Sequence, residues 1–332
     1  MDAALTPTEG EYMPRMRYLV ALACALFALL AFAATAGATI TTRVVEYGPW
    51  TIPAGNGDPH DHDNAGMISN EIRFNVARPC TGCKLIAIDP EMVDATTGRE
   101  VNMRTGPMLH HFLFAASNKT DLTCPGTGSG ALGQRFFASG NERTAIDIER
   151  LSYGYEVGSR DTWTMDVDLM NWSTESRRVK IKVTFKYATG TDATSRTNLT
   201  PWWFDVDGCS TDSLIEVPIG FSDTHREIRA PSAGRLIAMA GHIHDHGLKD
   251  ELTNQSRSEA LICSSVSRSG ETEAYVSPEG RLSISSMSTC IGTPVAEIAS
   301  GNTLRLHVQY EVPVGHPAID DAMGIMLGFI AP

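Results

Sequence analysis

The stretch VKIKVTFKY, Val179 to Tyr187, alternates strictly: Val179, Ile181, Val183, Phe185 and Tyr187 point one way, the lysines and Thr184 the other. A period of two over nine residues is the signature of a half-buried strand and is incompatible with a helix. LRLHVQY, Leu304 to Tyr310, repeats it, with Leu304, Leu306, Val308 and Tyr310 inward. MLHHFLFAA (108–116), RLIAMAGHIH (235–244), RLSISS (281–286) and MGIMLGFIA (323–331) read as further short strands between Gly, Pro, Asn and Asp. Beyond residue 38 no segment keeps helical periodicity over three turns. The pattern predicts an all-β chain, and 332 residues favour paired β-sandwiches over a single one. The polar, Thr-rich run ATGTDATSRTNLTP (188–201) has no alternation and marks a boundary. It divides the chain into a first domain, 39–200, and a second, 201–332, packed side by side.

The first 38 residues read as an export signal with a polar prefix. Arg15 and Arg17 precede the apolar run YLVALACALFALLAFAA, and AGA (36–38) supplies the small residues of a cleavage site before Thr39. The prefix is unusual for a signal, which points to Met13 as a second candidate start. The chain is therefore expected to be secreted; the alternative is an uncleaved anchor tethering it to a membrane. Seven cysteines less Cys24 in the signal leaves six: Cys80, Cys83, Cys124, Cys209, Cys263 and Cys290. An even count behind an export signal reads as three disulfides. Cys263 and Cys290 bracket a hairpin region and are expected to pair, while the other four leave three connectivities open. CTGC (80–83) is also compatible with a redox pair or half a zinc site, although a second CxxC is missing. Sequons at Asn118, Asn171, Asn198 and Asn254 are candidate glycan sites. A formal charge of −12 with no basic run excludes a nucleic-acid footprint.

Three of the ten histidines sit in AGHIHDHG (240–247). On a strand, residues two apart share a face, so Leu236, Ala238, Ala240, His242 and His244 should lie together, with the imidazoles at the strand end. Two neutral imidazoles on one face form a metal clamp. His246 follows into the turn, either to reach the same site or to be solvated. His110 and His111 are adjacent on an apolar strand, and simple alternation would bury one and expose the other. His60 and His62, in DPHDHDN, read as a polar loop. His225, His307 and His316 are isolated in sequence, and His307, on the polar face of its strand, needs no ligand role.

An adjacent His-His, a later HxH and a late methionine resemble the two-copper monooxygenases, peptidylglycine α-hydroxylating monooxygenase and dopamine β-monooxygenase. That resemblance implies two jelly-roll domains, a first copper at His110 and His111, and a second at His242 and His244 with Met323 as thioether ligand. Soft sulfur suits cuprous copper. Met326, on the other strand face, would be core. The order and spacing of GPMLHHFLF, FASGNERT, WWFDVDGCST, GHIHDHG and MGIMLGF are also similar to the stress-up-regulated nodulin family, over nearly the whole chain after the signal.

Three departures from the hydroxylase pattern bear on function. Asn171, in DLMNWS, stands where the first copper's third histidine is expected. Ala240 and Leu327 replace the arginine and tyrosine that hold a peptidylglycine carboxylate, and Gly324 replaces a cysteine. The resemblance thus implies a secreted copper protein oxidising an unknown small molecule or peptide, with oxygen and a reductant such as ascorbate. The alternative is a non-catalytic metal-binding or stress-related structural protein with the same fold.

Overall fold

A computed structural model describes residues 39–58 and 64–332; the expected export signal with Cys24, and the segment bearing His60 and His62, lie outside the described residues. Strands dominate. A six-stranded sheet runs β1 (Thr39–Ile52), β9 (Arg177–Thr189), β3 (Cys83–Asp94), β7 (Tyr153–Val157), β10 (Thr197–Asn198), with β6 (Ile146–Asp147) also on β3. A four-stranded sheet has the order β2 (Gly66–Phe74), β8 (Trp163–Asn171), β4 (Pro107–Ala116), β5 (Gln134–Gly140). A second four-stranded sheet runs β11 (Thr200–Asp205), β21 (Gly324–Ala331), β14 (Gly234–Ile243), β18 (Thr289–Ile298). A five-stranded sheet runs β13 (Gly220–Arg229), β19 (Thr303–Val312), β15 (Gly247–Asn254), β16 (Ala260–Ser269), β17 (Ile284–Met287). β12 (Ile215–Val217) pairs with β20 (Ile319–Ala322). The strand pairs are antiparallel except for the two-residue β10 beside β7. No described helix is long and apolar enough to cross a membrane.

The alternating sequences became the strands they predict. β9 buries Val179, Ile181, Val183 and Phe185, and β19 buries Leu304, Leu306, Val308 and Tyr310. Two large apolar cores result, with a small cluster of Met103, Met108, Met170 and Trp172 beside them. The first gathers Val183 and Phe185 of β9, Phe112 and Phe114 of β4, and Trp163 of β8. The second gathers Leu304, Leu306 and Val308 of β19 with Leu252 and Met287.

The sheet containing β21 serves both cores. Ile325, Leu327 and Phe329 belong to the first, Met326 and Ile330 to the second, and every residue of β21 is buried. Trp202, Trp203 and Phe204 alternate in the same way. Gly324 is forced by this packing: a Cβ there would lie 2.2 Å from a methyl of Val308, so a cysteine has no room.

One expectation gains structural detail and another is corrected. The run 188–201 is ordered and packed. It ends β9, forms the helix Gly190–Ser195 and starts β11, with Ala193 and Leu199 buried. Within the helix the hydroxyls of Thr194 and Ser195 donate to the carbonyls of Thr191 and Asp192, while Ala193 and Leu199 anchor the run. Leu236 does not share a face with His242, because pairing of β14 with both neighbours slips between Leu236 and Ala238. The extra residue, Ile237, reverses the alternation, so Leu236 enters the second core while Ile237 and Ala238 face the first.

Candidate metal centre

Alternation alone would send His110 and His111 to opposite faces. The β4–β8 register pairs Leu109 with Leu169 and then His111 with Asp168, leaving His110 as the extra residue of a bulge. Core residues on β4 therefore run Leu109, Phe112, Phe114, with a gap of three at the bulge. Both imidazoles end on the side away from that core. From the other sheet, β14 carries His242 to its C-terminal end, paired with Ile325, and His244 follows just beyond the strand.

The four rings form one cluster. Ring centroids are 4.9 Å apart for His110 and His111, 4.6 Å for His110 and His244, 5.4 Å for His242 and His244, and 6.3 Å for His111 and His242. The resemblance implied separate sites on separate domains, whereas here the two pairs face each other across the gap between sheets. Met323 is buried between β20 and β21 and lines the same cavity as His110, His111 and His242, while Met326 packs in the second core. The hydroxyl of Tyr310 ties the HxH segment to Met323. It accepts the His244 N–H at 2.9 Å and donates to the Met323 carbonyl at 2.6 Å.

Carboxylates back the imidazoles. Glu142 Oε1 lies 3.1 Å from His242 Nδ1 and accepts the Gly140 N–H at 2.8 Å. Asp168 Oδ2 lies 2.8 Å from His111 Nε2 and its other oxygen accepts the Asn70 N–H. Such a partner fixes the tautomer: with Nδ1–H of His242 turned to Glu142, the Nε2 lone pair is free to ligate. Burial works against charge on both acids, yet His242 and the Gly140 N–H hold Glu142 below its usual range, and His111 and Asn70 do the same for Asp168. Burial, reinforced by His244 and His111, pushes His110 well below the ordinary imidazole value, so it is neutral at pH 7. Asp321 joins from β20, with its oxygen within 4.8 Å of ring nitrogens of His110 and His244.

Sequence reasoning missed Glu142, Asp168 and Asp321. Asp166 and Asp168 alternate with core residues Met165, Val167 and Leu169 on β8, a polar face that could have flagged them. Asn171, taken for the missing ligand, sits opposite Pro107, beyond the histidines. Its amide donates to the carbonyls of Pro53 and Glu175 at 2.7 and 2.8 Å, and it is fully buried, so its sequon is closed to a glycan. His246 takes a left-handed turn conformation (φ 70°) and its ring meets His316 instead. Asp245 is held by Arg281, Ser283 and the Ile284 N–H. The cysteines pair as Cys80–Cys83, Cys124–Cys209 and Cys263–Cys290.

Beside the cluster lies a cavity of about 500 Å³, walled by Leu113, Met170, Trp203, Ile325 and the acids Asp166 and Asp320. Its size suits a small organic molecule.

A basin of imidazoles, carboxylates and a thioether is the donor chemistry of a redox-metal centre, and the chain is a distant homologue of fungal proteins named probable copper-dependent oxygenases. One is Probable copper-dependent oxygenase M1 of Phoma sp., 28% identical over 299 residues, covering 87% of this chain and 72% of that protein. Another is Probable copper-dependent oxygenase clz3 of Cochliobolus lunatus, 27% identical over 244 residues, covering 70% of this chain and 75% of its own. No protein-family model matches the chain. Among solved structures, PNGF-II in the P21 space group is similar at a TM-score of 0.42 and 9% identity, covering 92% of this chain and 67% of that one.

The residues fit copper. Both ring nitrogens of His110 and Nε2 of His242 are buried without a hydrogen-bond partner among the described residues. Each such group costs about 1–3 kcal/mol unless something satisfies it. An ion bound by imidazole nitrogen would satisfy Nε2 of His242 and one ring nitrogen of His110, and the surrounding carboxylates favour a cation.

Proposed function

We propose that this chain is a secreted copper-dependent oxygenase, with two jelly-roll-type β-sandwich domains meeting near Pro201 and its metal centre between them. The observation that carries this reading is the convergence of four imidazoles from a bulge in β4 and the C-terminal end of β14, with buried, unpartnered nitrogens on His110 and His242. The copper assignment draws on the names of the relatives. His110, His111, His242 and His244 would hold copper, with Met323 as a soft donor, in a site for one or two ions. When bound, copper would supply one-electron chemistry toward oxygen.

The chain's own residues would do the rest. Glu142 and Asp168 hold His242 and His111 in the ligating tautomer. Leu113, Met170, Trp203 and Ile325 shape an apolar wall that seats the substrate and excludes bulk water. Ala240 and Leu327 stand where the resemblance would put the groups that hold a peptide carboxylate, and neither lines the cavity, so a small molecule is the favoured substrate. The export signal and three disulfides suit an extracellular setting.

The test is copper analysis and oxygen uptake on residues 39–332, with ascorbate as the trial reductant. Copper-dependent oxygen uptake that disappears in His242→Ala is the expected result. Full copper occupancy with no uptake under any reductant would replace the reading with a non-catalytic copper protein. Failure to bind copper would leave only a structural role.

A further inference from the structure

A second group of metal-binding side chains lies on the five-stranded sheet, away from the four-histidine cluster. β13 is that sheet's edge strand, and its register against β19 sets His225 directly across from His307 and Asp223 across from Gln309. The residues of β19 between them, Leu306 and Val308, point into the second core, so these four side chains share the outward face. His225 and Asp223 are exposed and His307 is half-buried.

The donors are already gathered. One ligand atom each from Asp223, His225 and His307 lies within 4.8 Å of the other two. The imidazole centroids are 5.4 Å apart at an interplanar angle of 33°. Gln309 Nε2 donates to Asp223 Oδ2 at 2.9 Å, which turns Oδ1 to His307 Nδ1 at 3.0 Å. Donors about 2.1 Å from a tetrahedral ion stand about 3.4 Å from one another, so small side-chain adjustments suffice. On the third strand, Glu251 lies opposite His307 in register and adds negative charge, while being held in place by Lys249 and Ser264. Sheet hydrogen bonding fixes all three backbones, so binding orders little.

We infer that Asp223, His225 and His307 form a surface site for a divalent transition-metal ion, zinc or cupric copper. Two imidazoles with one carboxylate suit these borderline ions, whereas calcium and magnesium want oxygen throughout. Three protein donors leave a position open to water or to an outside ligand. The site is independent of the oxygenase reading, since it shares no residue with that centre.

Metal-stripped protein titrated with zinc alone tests it by calorimetry, and cobalt in place of zinc gives a visible spectrum of the bound ion. Relative to the unsubstituted chain, His307→Ala and His225→Ala should each lose one zinc equivalent or bind it at least tenfold more weakly, together with the tetrahedral cobalt bands. His242→Ala should keep that equivalent. His225 is exposed and His307 half-buried on the outward face, and circular dichroism checks that the sheet persists. If zinc stoichiometry and cobalt spectra are the same in both variants as in the unsubstituted chain, the group is an ordinary ion pair and the inference fails.

Discussion

At the scale of single residues, Tyr310 has more leverage on the centre than its distance in sequence suggests. It is fully buried, and burial raises its hydroxyl far above the usual range, so it stays protonated and can accept from His244 while donating to Met323. Two hydrogen bonds of roughly 0.5–1.5 kcal/mol each hold the backbone of two candidate ligands. Tyr310→Phe keeps the ring's packing and removes only these bonds. Copper affinity, measured by competition with a chromophoric chelator, should fall about tenfold with the overall fold unchanged. Unaltered affinity would mean that the HxH turn is held by the sheet alone. None of this could be read in advance, because the alternation of LRLHVQY marks Tyr310 as core and says nothing of where its hydroxyl points. The histidines that cluster were legible as candidates, since residue type and spacing carry that chemistry. Their carboxylate partners were not, since Glu142 and Asp168 reach them only through cross-strand register.

At the scale of elements, the bulges decide what meets what. Strand identity was legible wherever one face is buried, as in β9 and β19. β21, buried on both faces, announces itself only as an apolar run. Bulges at His110 and Ile237 arise from pairing with neighbours and leave no local signature, which is why the adjacent histidines looked divided. The end of β5 is shaped to receive β14: a Cβ at Gly140 would lie 2.4 Å from His242 Cε1 and 2.7 Å from the His110 carbonyl. Gly140→Ala should therefore displace His242 from Glu142 and lower copper affinity by at least tenfold, a loss within the usual range for disturbing a ligand's supporting partner. Wild-type affinity in this variant would show that the sheets can separate without disturbing the ligands. β5 is anchored at its other end by Arg135, whose Nε meets Asp121 Oδ2 at 2.7 Å with both side chains buried. Burial opposes the Asp121 charge, but Arg135, Thr123 and the Cys124 N–H outweigh it and hold the carboxyl below its normal value. A depressed folded-state value means the stabilisation is complete above the unfolded value near 4 and is lost as pH falls through the lower, folded one. Asp121→Asn should cost about 3–5 kcal/mol at pH 7, as expected for breaking a buried pair, and the deficit should shrink below pH 4. Denaturant melts at pH 7 and pH 3 check both statements, and an equal deficit at the two values would remove the charge from the explanation.

For the molecule as a whole, the question is whether the two halves behave as separate bodies. The sequence placed a polar linker between them, and short-range pattern gives no means of seeing what packs across it. In the structure the first core takes in Trp203, Ile237, Met323, Ile325, Leu327 and Phe329, all from beyond Pro201. Removing the second half would expose these contacts, each large side chain costing roughly 1.5–3 kcal/mol when returned to water. The Cys124–Cys209 bridge also spans the boundary, closing a sequence separation of 85 residues. By loop-closure entropy it contributes roughly 4.6 kcal/mol, chiefly by restricting the unfolded chain. The two couplings make different predictions when separated. Replacing both cysteines by serine should lower Tm by about 10 °C, given the few degrees that each kcal/mol is worth in a chain of this size. Unfolding should nonetheless stay a single calorimetric transition, with the calorimetric and van't Hoff enthalpies equal, because the shared core still links the halves. Copper binding should survive at temperatures below that transition, since the four imidazoles are positioned by β4 and the end of β14, which carry neither cysteine. Two resolved transitions in the serine variant, with copper lost at the first, would mean that the disulfide, and not the shared core, holds the two halves of the metal centre together.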